Sequence, residues 1–283
     1  MKSLTKILLS LGLVGLLQAD SKVSSNLESR TQQTNKVAQV PFPTQYGTIV
    51  FTKNTDSAIH IYVIGQRHHS PLEEKKKPDA EVGRIQKNIY RICEYLIKSL
   101  GVELILDEGL DADKDHSIDR DYVRSTVMRR FGRDFPGFQA IIRYDDVALE
   151  RTLTEVPEVD AAGLLMVNYD INVQGIENVD LHKMAMKTIG AENLFDVIGN
   201  QLRSHWALIS AHSVLEREVE KGRLRSGRVV IIIGNAHLSN MQRLIEGNGF
   251  DLSKLDPELK SLFPPDLGEF YKDADTGYTL IKT

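Results

Sequence analysis

Five consecutive β-branched residues, Val229-Val230-Ile231-Ile232-Ile233, constrain the fold of this chain more than any other stretch. Val and Ile are stiff at χ1 and favour an extended backbone. A run that is apolar at every position has no polar side to turn to water. Both of its faces must be covered, as in the middle of a parallel sheet with helices on each side.

The flanking sequence supplies such layers. Residues 47–51 and 59–64 are rich in β-branched side chains and separated by Asn54-Thr55-Asp56-Ser57, which predicts strand, turn and strand. Val82, Ile85, Ile89, Ile92, Leu96 and Leu100 repeat at helical spacing up to Gly101, and residues 102–106 follow as a strand. Helices are expected at 122–131, at 145–154, from Asp180, over 192–220 and over 238–245. Further strands are expected at 171–176 and 278–281. The alternation predicts an α/β fold with a central, mostly parallel or mixed sheet flanked by helices.

The start of the chain behaves differently. Residues 7–17 are uncharged and mostly apolar, and Lys2 and Lys6 precede or open that run. This predicts a signal peptide over 1–19, with cleavage after Ala19 and an exported, periplasmic or secreted product. Eleven residues are too few to span the roughly 30 Å hydrocarbon core as a helix, so no stable membrane span is expected in the mature form. Residues 20–44 are expected to form a disordered lead-in, its first part rich in Ser, Asn, Gln and Thr, and residues 45–283 a single α/β domain. Of 283 residues, 41% are apolar, which is enough for a sizeable core. Lys plus Arg total 35 against 39 Asp plus Glu, so no basic excess supports nucleic-acid binding. Cys93, the single cysteine, sits in the helical apolar pattern and is expected to be a buried thiol without a disulfide.

Four polar groups share one position in this pattern. Gly65-Gln66-Arg67-His68 follows one strand, Asp107-Glu108-Gly109 a second, Glu177 a third, and Gly234-Asn235-Ala236-His237 a fourth. If the strands are parallel, all four converge at the carboxyl ends, where open α/β sheets place ligands. In each Gly-x-x-His tetrad, glycine is expected to turn the backbone without a Cβ clash, so that the histidine points back over the edge. His68, Glu108, Glu177 and His237 suit a divalent metal such as Zn, Mn or Co. They equally suit a metal-free site in which a histidine activates water and a carboxylate orients it. Arg67 and His69 flank His68 and suit an anionic group or a developing oxyanion. His60, His182, His205 and His212 lack such spacing, and packing or surface roles are expected for His205 and His212. Phosphate-binding Gly-Lys-Ser/Thr loops, Gly-x-Ser-x-Gly elbows and dinucleotide fingerprints are missing from the sequence.

Val63-Ile64-Gly65-Gln66-Arg67-His68-His69-Ser70-Pro71 resembles the first motif of the TraB/Tiki, ChaN-like and erythromycin-esterase-like superfamily, and residues 229–237 resemble its second. Glu108 and Glu177 match its acidic positions. The resemblance implies a pocket at the strand ends built from His68, Glu108, Glu177 and His237. It also implies one of three activities: metal-dependent peptide cleavage, lactone hydrolysis, or haem or iron binding. The chain departs from the ChaN-like and esterase-like pattern at Gln66, where an acid is common, and this weakens the esterase reading. The expectation is therefore an exported hydrolase, metal-dependent, acting on a peptide, ester or related small-molecule bond, with Arg67 as electrostatic stabiliser. The alternative is a non-catalytic protein binding haem, a metal or a small ligand through His68, His69 and Tyr62.

Overall fold

A computed structural model describes residues 41–67, 79–111, 119–131, 135–156, 158–190, 196–248, 251, 255, 257–263 and 275–283. The expected leader, most of the lead-in, His68 and His69 lie outside the described residues. The strands are β1 (Thr48–Lys53), β2 (Ile59–Gln66), β3 (Leu104–Asp111), β4 (Asn172–Glu177), β5 (Gly227–Gly234) and β6 (Thr276–Lys282). They form one sheet in the order β1-β6-β2-β5-β3-β4. Every pairing is parallel except that of β1 with β6, so the sheet is mixed and the fold is α/β. The expected strand–turn–strand at the start does not close as a hairpin, because β6 is inserted between β1 and β2. Ile231 and Ile232 of β5 pair with both β2 and β3, as an all-apolar run requires.

Helices cover both faces. One face carries α1 (Ala80–Leu100), α2 (Arg120–Phe131), α3 (Phe135–Tyr144), α4 (Asp146–Glu155) and α5 (Ala161–Tyr169). The other carries α6 (Val179–Lys187), a π-helical segment Asp196–Leu202, α7 (Arg203–Glu220), α8 (Leu238–Ile245) and α9 (Pro257–Ser261). Asp79 caps α1 by accepting from the amides of Glu81 and Val82, and Gly101 ends it at φ 70°, a left-handed conformation glycine adopts freely. Cys93 is fully buried in this helix, and burial pushes its thiol pKa up, so it packs as a small apolar side chain. Helices α3 and α5 went unread in the sequence. Arg91 explains how α3 and α4 are held: it binds Asp146, Glu94 and the carbonyls of Ile142 and Arg143.

The connections place a crevice at the end of β5. The chain leaving β5 enters α8 on one face, whereas the chain leaving its neighbours β2 and β3 enters α1 and α2 on the other. Open α/β sheets bind ligands where successive strands part in this way. Among the described residues no helix is long and apolar enough to cross a membrane.

Candidate functional site

Side chains alternate across a sheet, and that alternation divides the strand-end residues into two groups. Glu108 continues the face of Leu104 and Leu106 toward α7, while Asp107 continues the face of Ile105 toward α1 and α5. Gln66 likewise shares the α1 face with Tyr62 and Ile64. The strand ends thus carry two polar centres, one on each side of the sheet.

The α7 side brings together three of the expected residues: Glu108, Glu177 and His237. What joins them is Arg203, the first residue of α7. Its Nε and Nη2 bind Glu177 Oε1 and Oε2 at 2.7 and 3.0 Å, and Nη2 also reaches Glu108 Oε1 at 2.5 Å. The second oxygen of Glu108 accepts from the Gly234 amide at 2.5 Å. All three side chains are largely buried, with 9% exposure for each carboxylate and 16% for the guanidinium. Burial disfavours the guanidinium charge, yet Glu108 and Glu177 more than offset it and raise the Arg203 pKa.

His237 sits against this pair. Its Nε2 lies 3.4 Å from Glu108 Oε1, and its side chain is 4% exposed. Its Nδ1 lies 2.9 Å from Ser204 Oγ and 3.2 Å from the Asn200 carbonyl. Ser204 already donates its proton to Asn200 O at 2.5 Å, so both neighbours of Nδ1 act as acceptors. Nδ1 therefore carries a proton, and the approach of Nε2 to Glu108 Oε1 is favourable with a proton between those two atoms. His182 Nδ1 stands 3.3 Å from Glu177 Oε2 on the outer side. A cavity of about 10 Å³ adjoins Glu108, Glu177, Arg203 and Trp206.

The α1 side holds a different set. Gln86 donates to Gln66 at 2.9 Å and accepts from the Ala161 amide at 3.0 Å. Asp107, which continues the same face of the sheet, is 4% exposed. Burial first, then the charges of Asp160 and Glu108 and a hydrogen bond with Asp160, push its pKa well up. A cavity of about 450 Å³ opens here, lined by Gln66, Arg67, Arg84 and Asn235 among others.

Several expectations change at this point. Arg67 is not with Glu108, Glu177 and His237; it is half-exposed and paired with Glu81 at 2.6 Å, which corrects its expected place as stabiliser of that group. Neither motif glycine turns the chain with a positive φ. Gly234 has φ −52°, and Gly65 lies inside β2, where an added Cβ would stand 2.2 Å from Asn235 Oδ1. Gly65 is required for close approach of the second tetrad to the first, not for a turn. Tyr62 is buried in the core, its ring 4.4 Å from that of His60, away from the strand ends. His60 and His212 bond Thr279 and Tyr278, and both are buried.

The guanidinium of Arg203 occupies the place that a cation shared by Glu108 and Glu177 would take. Among the described residues no group of three or more His, Cys, Asp or Glu side chains is arranged to hold a metal ion. The described carboxylates thus fit an arginine, and His68 and His69 lie outside the described residues. Arg203 and Ser204 were not singled out in the sequence, because they lie in a long helical stretch marked only by its apolar spacing.

Comparison with family models, with curated proteins and with solved structures returned no match.

Proposed function

We propose that the chain is an exported hydrolase whose reaction is run by Glu108 and His237 with Arg203 and Glu177 as their electrostatic frame. One observation carries this reading: four elements deliver two carboxylates, a guanidinium and an imidazole to one buried point at the strand-end crevice. Buried charge of this kind adds little stability over apolar packing, and such clusters concentrate at functional sites. Glu108 touches both the small cavity and His237. It is placed to take a proton from a water attacking an acyl carbon, and His237 Nε2 to share that proton. Arg203 and the Gly234 amide hold the Glu108 carboxyl group in place. The substrate class is an ester, a peptide or a related acyl bond, as the resemblance to the TraB/Tiki and erythromycin-esterase-like superfamily also suggests.

The test is a panel of esters, lactones and peptides given to the wild type, Glu108→Gln and His237→Ala, with metal analysis of each purified protein. Loss of about 10²–10⁴ in kcat on either substitution supports the assignment. Equal activity in all three proteins removes it. The closeness of the site favours a second reading, binding of a small ligand without turnover. Saturable binding of haem or another small molecule that depends on these residues, with every substrate untouched, would select that reading.

A further inference from the structure

The first turn of α7 carries more than Arg203. Trp206, three residues further on, lies on the same side of the helix and lines the cavity of about 10 Å³ beside Glu108, Glu177 and Arg203. A space of that size holds about one water-sized group. The indole Nε1 of Trp206 is buried and has no hydrogen-bond partner among the described residues. An indole N–H only donates, and nearly every buried donor in a folded protein has an acceptor, so an exception calls for a reason. Phe263 packs edge-on against the ring at 6.2 Å between centroids, which limits its freedom to swing out and find water.

The neighbouring carboxylates are committed elsewhere. Glu108 serves Arg203, Gly234 and His237, and Glu177 serves Arg203 and His182. With two carboxylates at hand, a full anion is a poor occupant, whereas a neutral carbonyl oxygen fits the size and accepts a hydrogen bond.

We propose that Trp206 is a substrate-binding residue of this site, its indole N–H donating to the carbonyl oxygen of a bound acyl compound beside the Arg203 guanidinium. The acyl class rests on the hydrolase reading; the presence of an oxygen acceptor rests on the orphaned donor and the size of the cavity. As the carbonyl carbon is attacked its oxygen gains charge, and both donors then bind it more strongly.

Trp206 is the single tryptophan of the chain, so it gives one indole cross-peak in a ¹H–¹⁵N spectrum. N-methylacetamide, the smallest neutral peptide-bond analogue, is titrated into the full wild-type chain. The expected result is a saturable downfield shift of that proton, larger than the shift of N-acetyltryptophanamide in the same solutions. Trp206→Phe should weaken the probe about tenfold, the worth of one hydrogen bond, as read from the backbone amides of Glu108 and Gly234. An indole signal that moves no more than the free amide, whether or not the probe binds, overturns the proposal. The wild-type titration needs no variant to fold. It reads binding alone, so turnover without an indole shift would sink the role of Trp206 and leave the hydrolase reading standing.

Discussion

His237 presents Nε2 to Glu108 Oε1 at 3.4 Å, and its other nitrogen is fixed by Ser204 and Asn200. Ser204 therefore positions the imidazole of His237 without touching the reacting atoms. Ser204→Ala leaves Nδ1 with the Asn200 carbonyl alone. The expected outcome is a fall in kcat of about fivefold with KM little changed, matching one hydrogen bond of about 1 kcal/mol. The imidazole ¹⁵N signals of His237 should show a mixture of tautomers in the variant and one tautomer in the wild type. An unaltered imidazole spectrum would refute the positioning role.

Arg203 is the counter-charge for two buried carboxylates, so its removal strands both. Arg203→Met is expected to destabilise the chain by about 3–5 kcal/mol, the range for breaking a buried ion pair from one side. Adding Glu108→Gln and Glu177→Gln to that variant should restore much of the loss, since no unpaired charge is then left inside. Urea unfolding of the single and triple variants measures both effects. A triple variant as unstable as the single one would show that Arg203 acts through packing.

Much of this arrangement was legible because apolar pattern and fold obey the same periodicities. The β-branched run 229–233 foretold a central parallel strand, and the spacing from Val82 to Leu96 foretold α1 up to Gly101. Glu108, Glu177 and His237 were placed by one argument, that parallel strands bring their carboxyl ends together. That argument could not tell the two faces of the sheet apart near the ends. Gln66 and Asp107 look like neighbours of Glu108 in the sequence but turn to the α1 side. Arg203 was invisible for another reason. It acts across the fold, and a charged residue at the start of a helix gives no local sign of the partners it meets. Helices α3 and α5 were missed because α3 begins at Phe135-Pro136-Gly137, which reads as a turn, and α5 is apolar around almost its whole girth.

Gly65 shows how one motif position serves the other. An alanine Cβ there would meet Asn235 Oδ1 at 2.2 Å and Leu238 Cδ1 at 2.6 Å. Both are side-chain atoms, so the strain is partly relieved by movement of the second tetrad. Gly65→Ala is expected to lose about 1–3 kcal/mol, the usual range for overpacking, and to disturb His237 two residues beyond Asn235. Asn235→Ala in the same chain should recover most of the stability. Thermal unfolding of the two variants checks this, and a Gly65→Ala protein as stable as the wild type would contradict the close approach.

Two buried histidines give the fold a pH dependence of definite sign. Burial lowers the pKa of His205 to about 4, and burial with help from the nearby Arg228 charge does the same for His60. In the unfolded chain both titrate near 6.5, the ordinary value for histidine. Between these values the unfolded chain binds more protons than the folded one, so stability rises with pH through that window and is lost as pH falls from 6.5 toward 4. Each histidine contributes about 3 kcal/mol of that loss by pH 4, as an order of magnitude. Glu218 is held by Arg223 and Arg217, with burial opposing them, and its pKa is lowered to about 2. Its stabilisation is present above 4.5 and fades only as pH falls below that, so the two effects occupy different ranges. Asp107 has the opposite sign: its raised pKa favours the folded state in acid and weakens it as pH rises. Urea unfolding across pH 4 to 7 should therefore show a slope in the wild type that becomes shallower in His205→Phe and in His60→Gln. A slope unchanged by either substitution would mean that neither ring is buried in its neutral form.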